Sequence, residues 1–269
     1  MMPDPVEMRP LRYSVVLPAH NEAELIAPVL DELAQELRRR REPFELIVVE
    51  NGSTDGTAAI LAGLEGAIPE LRTVSLAEAD YGRAIAKGFQ LATAPIVAHF
   101  DVDYYDFGFL DDAVRLIDDG SAGIVLASKR APGADDRRPL QRRLLTAGFT
   151  LAMRVVLQTP ITDAHGMKVL SRAECAPAAA SCQMTGALYD IELVLRASAD
   201  GVRVVELPAT VSELRPPRTP VWRRGMQSGL GLLQLRSLLR RERRSLRRRT
   251  GSSAATAMVP RRRAGQSAR

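Results

Sequence analysis

Short β-branched runs alternate with helix-period stretches through roughly the first hundred residues, and this alternation restricts the fold more than any other feature. Residues 13–17 (YSVVL) form one such run, ending at Pro18, and 44–49 (FELIVV), 71–76 and 95–100 (PIVAHF) form three more. Between the first two, 22–40 carries Leu25, Ile26, Val29, Leu30, Leu33 and Leu37 at i, i+3 and i+4 spacing, the stripe of a helix with one buried face. Helices are predicted again over 54–64 and 83–91. Strands alternating with helices at this spacing predict an α/β fold with a doubly wound, mostly parallel sheet flanked by helices. Ligands collect beyond the carboxyl ends of strands in such sheets. Polar residues stand at those ends: His20, Asn21 and Glu22, then Glu50, Asn51, Gly52 and Ser53, then Asp101 and Asp103.

The second half is less regular. It predicts strands over 123–128, 167–170 and 202–207, and helices over 144–157 and 191–199. A loop rich in Pro, Asp and Arg spans 129–143, and no internal repeat is evident. The two cysteines, Cys175 and Cys182, are too few for a disulfide framework and read as reduced thiols. The N-terminus has no apolar signal-peptide region, and no uncharged apolar run approaches the ~20 residues that span a bilayer. Membrane contact is therefore expected to be peripheral.

Charge is divided by position. The chain has 37 basic and 32 acidic residues, a net +5, but 215–269 holds 16 Arg, no Lys and the single acid Glu242, a net +15. Residues 1–214 then carry 37 − 16 = 21 basic and 32 − 1 = 31 acidic groups, a net −10. An acidic body with a cationic tail implies an anionic partner, either lipid or nucleic acid. The tail lacks interleaved aromatics and no nucleic-acid reader module accompanies it, so no nucleic-acid partner is expected. Leu232, Leu235, Leu239 and Leu246 form one stripe at ~100° per residue beside Arg236, Arg240, Arg244 and Arg247. That pattern suits a helix lying in an anionic headgroup region, and equally a helix packed back on the domain. The expected organisation is an N-terminal extension (1–10), one α/β domain (11–215), a basic amphipathic membrane-associating region (216–249) and a disordered basic tail (250–269).

Two motifs carry chemistry. Residues 50–57 (ENGSTDGT) join a predicted buried strand to a helix, with Gly52 permitting a tight turn and Ser53 or Thr54 available as a cap. Asp101-Val102-Asp103 leaves a predicted buried strand; in an extended segment residues i and i+2 share a face and can converge on one cation. Mg²⁺ or Mn²⁺ prefers such oxygen ligands and keeps water and phosphate oxygens besides.

The segments SVVLPAHNEAELI, VVENGSTDGT, HFDVDYY, TDAHGMKVLSR and YDIELVLRASADGVRVVELP resemble, in order and spacing, those of family 2 inverting glycosyltransferases. The nearest likeness is to polyprenyl-phosphate sugar transferases of the dolichyl-phosphate mannose (or glucose) synthase kind. The resemblance covers residues 12–215 and implies a GT-A fold, a GDP- or UDP-sugar donor and Mg²⁺ or Mn²⁺. It implies that Pro18, His20, Asn21, Glu22, Glu50, Asn51 and Ser53 lie around the nucleotide-sugar. It also implies that Asp101 and Asp103 handle ribose, diphosphate and metal, and that Asp163, Gly166 and Lys168 lie near the donor sugar and acceptor phosphate. Asp101, Asp103, Asp163 and Lys168 are the expected catalytic residues. Glu50-Asn51 stands where the family usually shows two Asp, and Tyr81-Gly82-Arg83 replaces its usual Gly- and Lys-rich segment.

A polyprenyl phosphate is already an anion and attacks without a strong base, but it requires cations to hold it. Lys129, Arg130 and Arg142 are expected to supply them, with Arg137, Arg138 and Arg143 nearby. A soluble hydroxyl acceptor, the alternative, requires a base, for which Asp163 and Asp190 are the candidates. Asp190 equally suits the N-terminus of a helix. His99 is expected to be a hydrogen-bonded core imidazole, and His165 a site residue. The expected enzyme is cytoplasmic, peripheral on the inner membrane face through its basic tail, and open to a membrane-protein partner.

Overall fold

The computed structural model describes residues 9–211 and 229–242. The first eight residues, residues 212–228 and residues 243–269 lie outside the described residues, and with them Arg244, Leu246, Arg247 and the expected disordered tail.

The chain runs β1 (Tyr13–Ala19), α1 (Ile26–Arg39), β2 (Phe44–Asn51), α2 (Thr57–Leu64), β3 (Leu71–Leu76), α3 (Tyr81–Leu91), β4 (Ile96–His99) and α4 (Phe107–Asp118). It continues with β5 (Ile124–Ser128), β6 (Asp135–Asp136), α5 (Leu140–Leu157), β7 (Lys168–Ser171), α6 (Arg172–Ser181), α7 (Leu188–Ala199), β8 (Val204–Pro208), β9 (Thr210–Val211) and a last helix, α8, over 229–242. Seven strands make one sheet in the order β3-β2-β1-β4-β7-β5-β8, and β6 pairs with β9 apart from it. All pairings in the large sheet are parallel except those of β7, which runs antiparallel to β4 and β5.

β1 and β2 are buried nearly throughout, as strands covered on both faces must be. Successive side chains alternate between two cores. Val15, Leu17, Leu46 and Val48 meet α1 and α4 on one face. Val16, Ile47, Val49 and Val97 meet α3, α5 and α7 on the other. The expected helices are found with their starts shifted by two to four residues, and α4 and α6 are additional. Asp106 caps α4 by accepting from Phe109 N at 3.0 Å. α5 begins four residues earlier than periodicity predicts, and α6 tolerates Pro177 within its span. Cys175 and Cys182 are both free thiols.

α3 lies directly on β1. A Cβ on Gly88 would stand 2.2 Å from Val16 Cγ1, and Val16 is fully enclosed at the centre of the sheet. Gly88→Ala would gain ~1 kcal/mol of helix propensity but overpack a site that cannot yield, at a cost of about 1–3 kcal/mol or more. The expected net result is a lower denaturation midpoint, measurable in urea.

Candidate active site at the carboxyl edge of the sheet

The loops following β1 and β2 are locked together. Asn21, at a left-handed φ of 56°, donates its N–H to Ser53 Oγ at 3.0 Å and accepts Thr54 N–H on Oδ1 at 2.8 Å. Asn and Asp adopt this conformation more readily than other non-glycine residues. His20 Nδ1 meets Asn51 O at 2.8 Å, and Glu22 N–H donates to Thr57 Oγ1 at 2.8 Å. The buried Glu50 accepts Ser53 N–H at 2.5 Å. Gly52 is required here by a φ of 62° and because a Cβ would meet Ala79 N at 2.8 Å. Asn51 Oδ1 accepts Asp80 N–H at 2.7 Å, and Asp80 in turn caps α3 at Arg83 N and accepts Gly186 N–H, both at 2.9 Å. The expected nucleotide residues His20, Asn21, Glu22, Glu50, Asn51 and Ser53 therefore form one preorganised rim. Pro18 lies lower, within β1.

β4 delivers Asp101 and Asp103 to the same edge, but not in an extended segment. Asp101 and Tyr104 exchange backbone hydrogen bonds at 3.1 Å in each direction, so 101–104 is a tight turn. Asp101 is partly buried at its start, and Asp103 is exposed near its tip. Burial lifts the Asp101 carboxyl to about 6; Lys168 and the Tyr81 hydrogen bond oppose the rise, while Asp103 and Asp190 add to it. A buried carboxyl raised in this way, with a second acid beside it, is what a cation would relieve. Among the described residues no three or more His, Cys, Asp or Glu side chains gather as a closed metal cage. Two carboxylates at an open edge fit Mg²⁺ or Mn²⁺, which fill the remaining positions with water and phosphate oxygens.

Beneath Asp101 lies a buried polar chain that the sequence did not reveal. Antiparallel register sets Lys168 on β7 opposite His99 on β4, so both side chains share a face. Lys168 Nζ, fully buried, lies 2.8 Å from His99 Nδ1, 2.8 Å from Gly166 O and 3.0 Å from Asp190 Oδ2. Neither Asp190 oxygen makes a hydrogen bond of good angle, so the contact with Lys168 is an ion pair first. An ammonium only donates, so His99 Nδ1 accepts, and its proton resides on Nε2. That nitrogen faces Tyr81 Oη at 3.4 Å, and Tyr81 donates to Asp101 Oδ1 at 3.0 Å. Burial, and secondarily the Lys168 charge, hold the His99 imidazole neutral, well below its ordinary range. His99 is thus the hydrogen-bonded core residue expected, and the order Lys168, His99, Tyr81, Asp101 is a one-way chain of donors. Tyr81→Phe keeps the ring and removes the last donor. It should weaken cation-dependent nucleotide binding by about tenfold, the scale of one hydrogen bond to a charged group, as calorimetry with Mn²⁺ would read.

Asp163 and Lys129 meet on the other side of the cleft. Asp163 Oδ2 accepts from Lys129 Nζ at 2.9 Å and from its backbone N–H at 3.3 Å, and Oδ1 accepts His165 N–H at 3.2 Å. Glu206, which sequence reasoning missed, holds this loop by accepting Thr162 N–H at 2.6 Å and Asp163 N–H at 3.1 Å. Gly166, at a φ of 96°, packs near Lys129 Nζ and Tyr104. His165 lies against Phe149 at 5.5 Å, and burial lowers its pKa. Within the basic loop, Arg137 pairs with Asp135 and Arg138 with Asp136. Arg130 and Arg143 are exposed, and Arg142 is partly buried.

The leucine stripe of the tail is used inward. Leu232 and Leu235 of α8 are fully buried in the core beneath α5 and α7, Leu239 packs beside them, and Arg196 holds Glu242 at 2.8 Å. Of the two arrangements the stripe allows, the described part of the helix adopts packing on the domain.

A family model described as glycosyl transferase family 2 matches residues 14–175. An uncharacterized glycosyltransferase of Mycobacterium tuberculosis is 33% identical over 207 residues, covering 77% of this chain and 86% of its own. A dolichyl-phosphate β-glucosyltransferase of Trichomonas vaginalis is 26% identical over 214 residues, covering 74% of this chain and 63% of its own. A mannosyltransferase from Pyrobaculum calidifontis, solved in complex with GDP-Man and Mn²⁺, superposes with a TM-score of 0.60 at 24% identity, over 86% of this chain and 65% of that one. The family match over more than half of the chain, the 33% identical relative and the shared sheet architecture agree: this chain belongs to glycosyl transferase family 2 and is a glycosyltransferase of the GT-A fold.

Proposed function

We propose that the enzyme moves a hexose from a GDP- or UDP-sugar to a polyprenyl phosphate at the inner membrane face. Asp101 and Asp103 would hold Mg²⁺ or Mn²⁺, which supplies positive charge to the departing nucleoside diphosphate. The locked rim of His20, Asn21, Glu22, Glu50, Asn51 and Ser53 would receive the nucleoside without reorganising. An acceptor phosphate oxygen would form the bond to the anomeric carbon as the bond to the donor diphosphate breaks, giving inversion. Lys129, which pairs with Asp163 at 2.9 Å, would hold that phosphate together with Arg130 and Arg142.

One observation supports an anionic acceptor over a hydroxyl: both candidate bases are engaged. Asp190 is sealed from solvent against Lys168, and Asp163 is 6% exposed with both oxygens taken by Lys129 and His165. A hydroxyl must lose its proton to a base within reach, whereas a phosphate monoester arrives ionised. Similarity to the Trichomonas dolichyl-phosphate β-glucosyltransferase supports the same reading. Lys168, buried beneath the site, would act through His99 and Tyr81 on Asp101 rather than touch substrate.

The test is transfer by the full chain from labelled GDP- and UDP-hexoses to a polyprenyl phosphate, with and without chelator. A lipid-linked sugar that disappears with EDTA and returns with Mn²⁺ is expected. Transfer only to water-soluble hydroxyl acceptors would overturn the acceptor assignment and leave the family assignment intact.

A further inference from the structure

α5 carries apolar residues on two sides. Its inner side packs into the core through Met153, with Phe149, Ala152 and Val156 beside it. Its outer side exposes Leu140 (67%), Leu144 (62%), Leu151 (63%) and Val155 (64%). Leu140 and Leu151 are eleven residues apart, as are Leu144 and Val155, which is three helical turns, so the four form a continuous strip with Gly148 in its gap. A surface helix normally keeps one apolar face. The second one needs an occupant.

The distribution of charge indicates which. α5 contains no acidic residue, and Arg143 and Arg154, also eleven apart and both exposed, run along one flank of the strip. α8 packs into the same core on the same face of the sheet and exposes Leu230 and Leu233, with Arg240 and Arg241 exposed on its following turns. The sequence after α8, 243–269, holds nine Arg and no acid. A second copy docked face to face would set these cations against their own kind. An aliphatic strip flanked by arginines matches the boundary between acyl chains and anionic headgroups.

We infer that α5, rather than the leucine stripe of the tail, is the membrane-docking element, lying along an anionic bilayer with Leu140, Leu144, Leu151 and Val155 immersed. This deepens the acceptor reading above and rests on it in one respect. The inner side of α5 touches the active-site loop, through Thr150 Oγ1 on Thr162 O at 2.9 Å and Phe149 on His165. A bilayer on its outer side would then lie about one helix diameter, ~10 Å, from Asp163 and Lys129, within reach of a lipid phosphate.

The experiment is co-sedimentation of the full chain with vesicles of phosphatidylcholine alone or mixed with phosphatidylglycerol. The wild-type chain should bind the anionic vesicles, and Leu144→Ser/Leu151→Ser should lower its partition at least tenfold while leaving the circular-dichroism melt and Mn²⁺-dependent nucleotide binding unchanged. Unchanged partition of the double variant would overturn the inference. So would light scattering that shows a wild-type dimer converted to monomer by the same substitutions, since the strip would then be covered by a second copy. If the wild-type chain transfers sugar to no lipid phosphate, yet the double variant still leaves the vesicles, the acceptor reading falls and the docking face stands.

Discussion

Asp103→Ala is expected to reduce sugar transfer by about 10²–10³-fold, the scale on which removing one preorganised electrostatic contact to developing charge acts. The carboxylate is exposed near the tip of the 101–104 turn, so its loss should leave the unfolding free energy within about 0.5 kcal/mol. Steady-state turnover at saturating donor, measured beside a urea melt, separates the two effects. The loss should deepen at low Mn²⁺ and be partly relieved by excess metal if Asp101 is the second ligand. Equal activity of Asp103→Ala and wild type across all Mn²⁺ concentrations would remove the basis for a cation at this edge.

Lys168→Ala should be the most destabilising single substitution in the site, by about 3–5 kcal/mol, because it strands the buried Asp190 carboxylate without its partner. Both side chains are essentially sealed, with side-chain exposures of 1% and 0%. For a chain of this size the loss corresponds to a fall in melting temperature of roughly 6–20 °C. The double replacement Lys168→Met/Asp190→Leu removes both charges and fills the space, and should restore most of that stability. Its activity should stay low, since His99 loses the donor on Nδ1 and the order of the chain through Tyr81 to Asp101 is no longer fixed. Stability recovered without activity would identify the pair as a positioning device. Recovery of both would show that the chain beneath Asp101 is only structural.

Much of the molecule could be read from local pattern. β1 to β4 and α1 to α3 announce themselves because strand and helix burial have different periods, and those periods are written in neighbouring residues. Strand ends mark the carboxyl edge of a parallel sheet, so the place of His20 to Glu22, Glu50 to Ser53 and the Asp101–Asp103 pair at that edge was legible before any contact was known. α4 was hidden because its apolar positions follow a run of aromatics and acids, 104–107, that reads as loop. α6 was hidden by Pro177.

What the sequence determined by itself was therefore the α/β alternation, the sheet edge to which its polar motifs belong, and the family whose motifs it carries. Tertiary structure alone decided the antiparallel insertion of β7, which sets Lys168 beside His99 across 69 positions of chain. It decided that Leu232, Leu235 and Leu239 of α8 turn inward while Leu140, Leu144 and Leu151 of α5 face out, although both helices carry the same apolar period. The physical reason is common to both. Periodicity records that a face is apolar, but which surface covers it depends on free energy summed over contacts between residues remote in sequence, and no local pattern contains that sum.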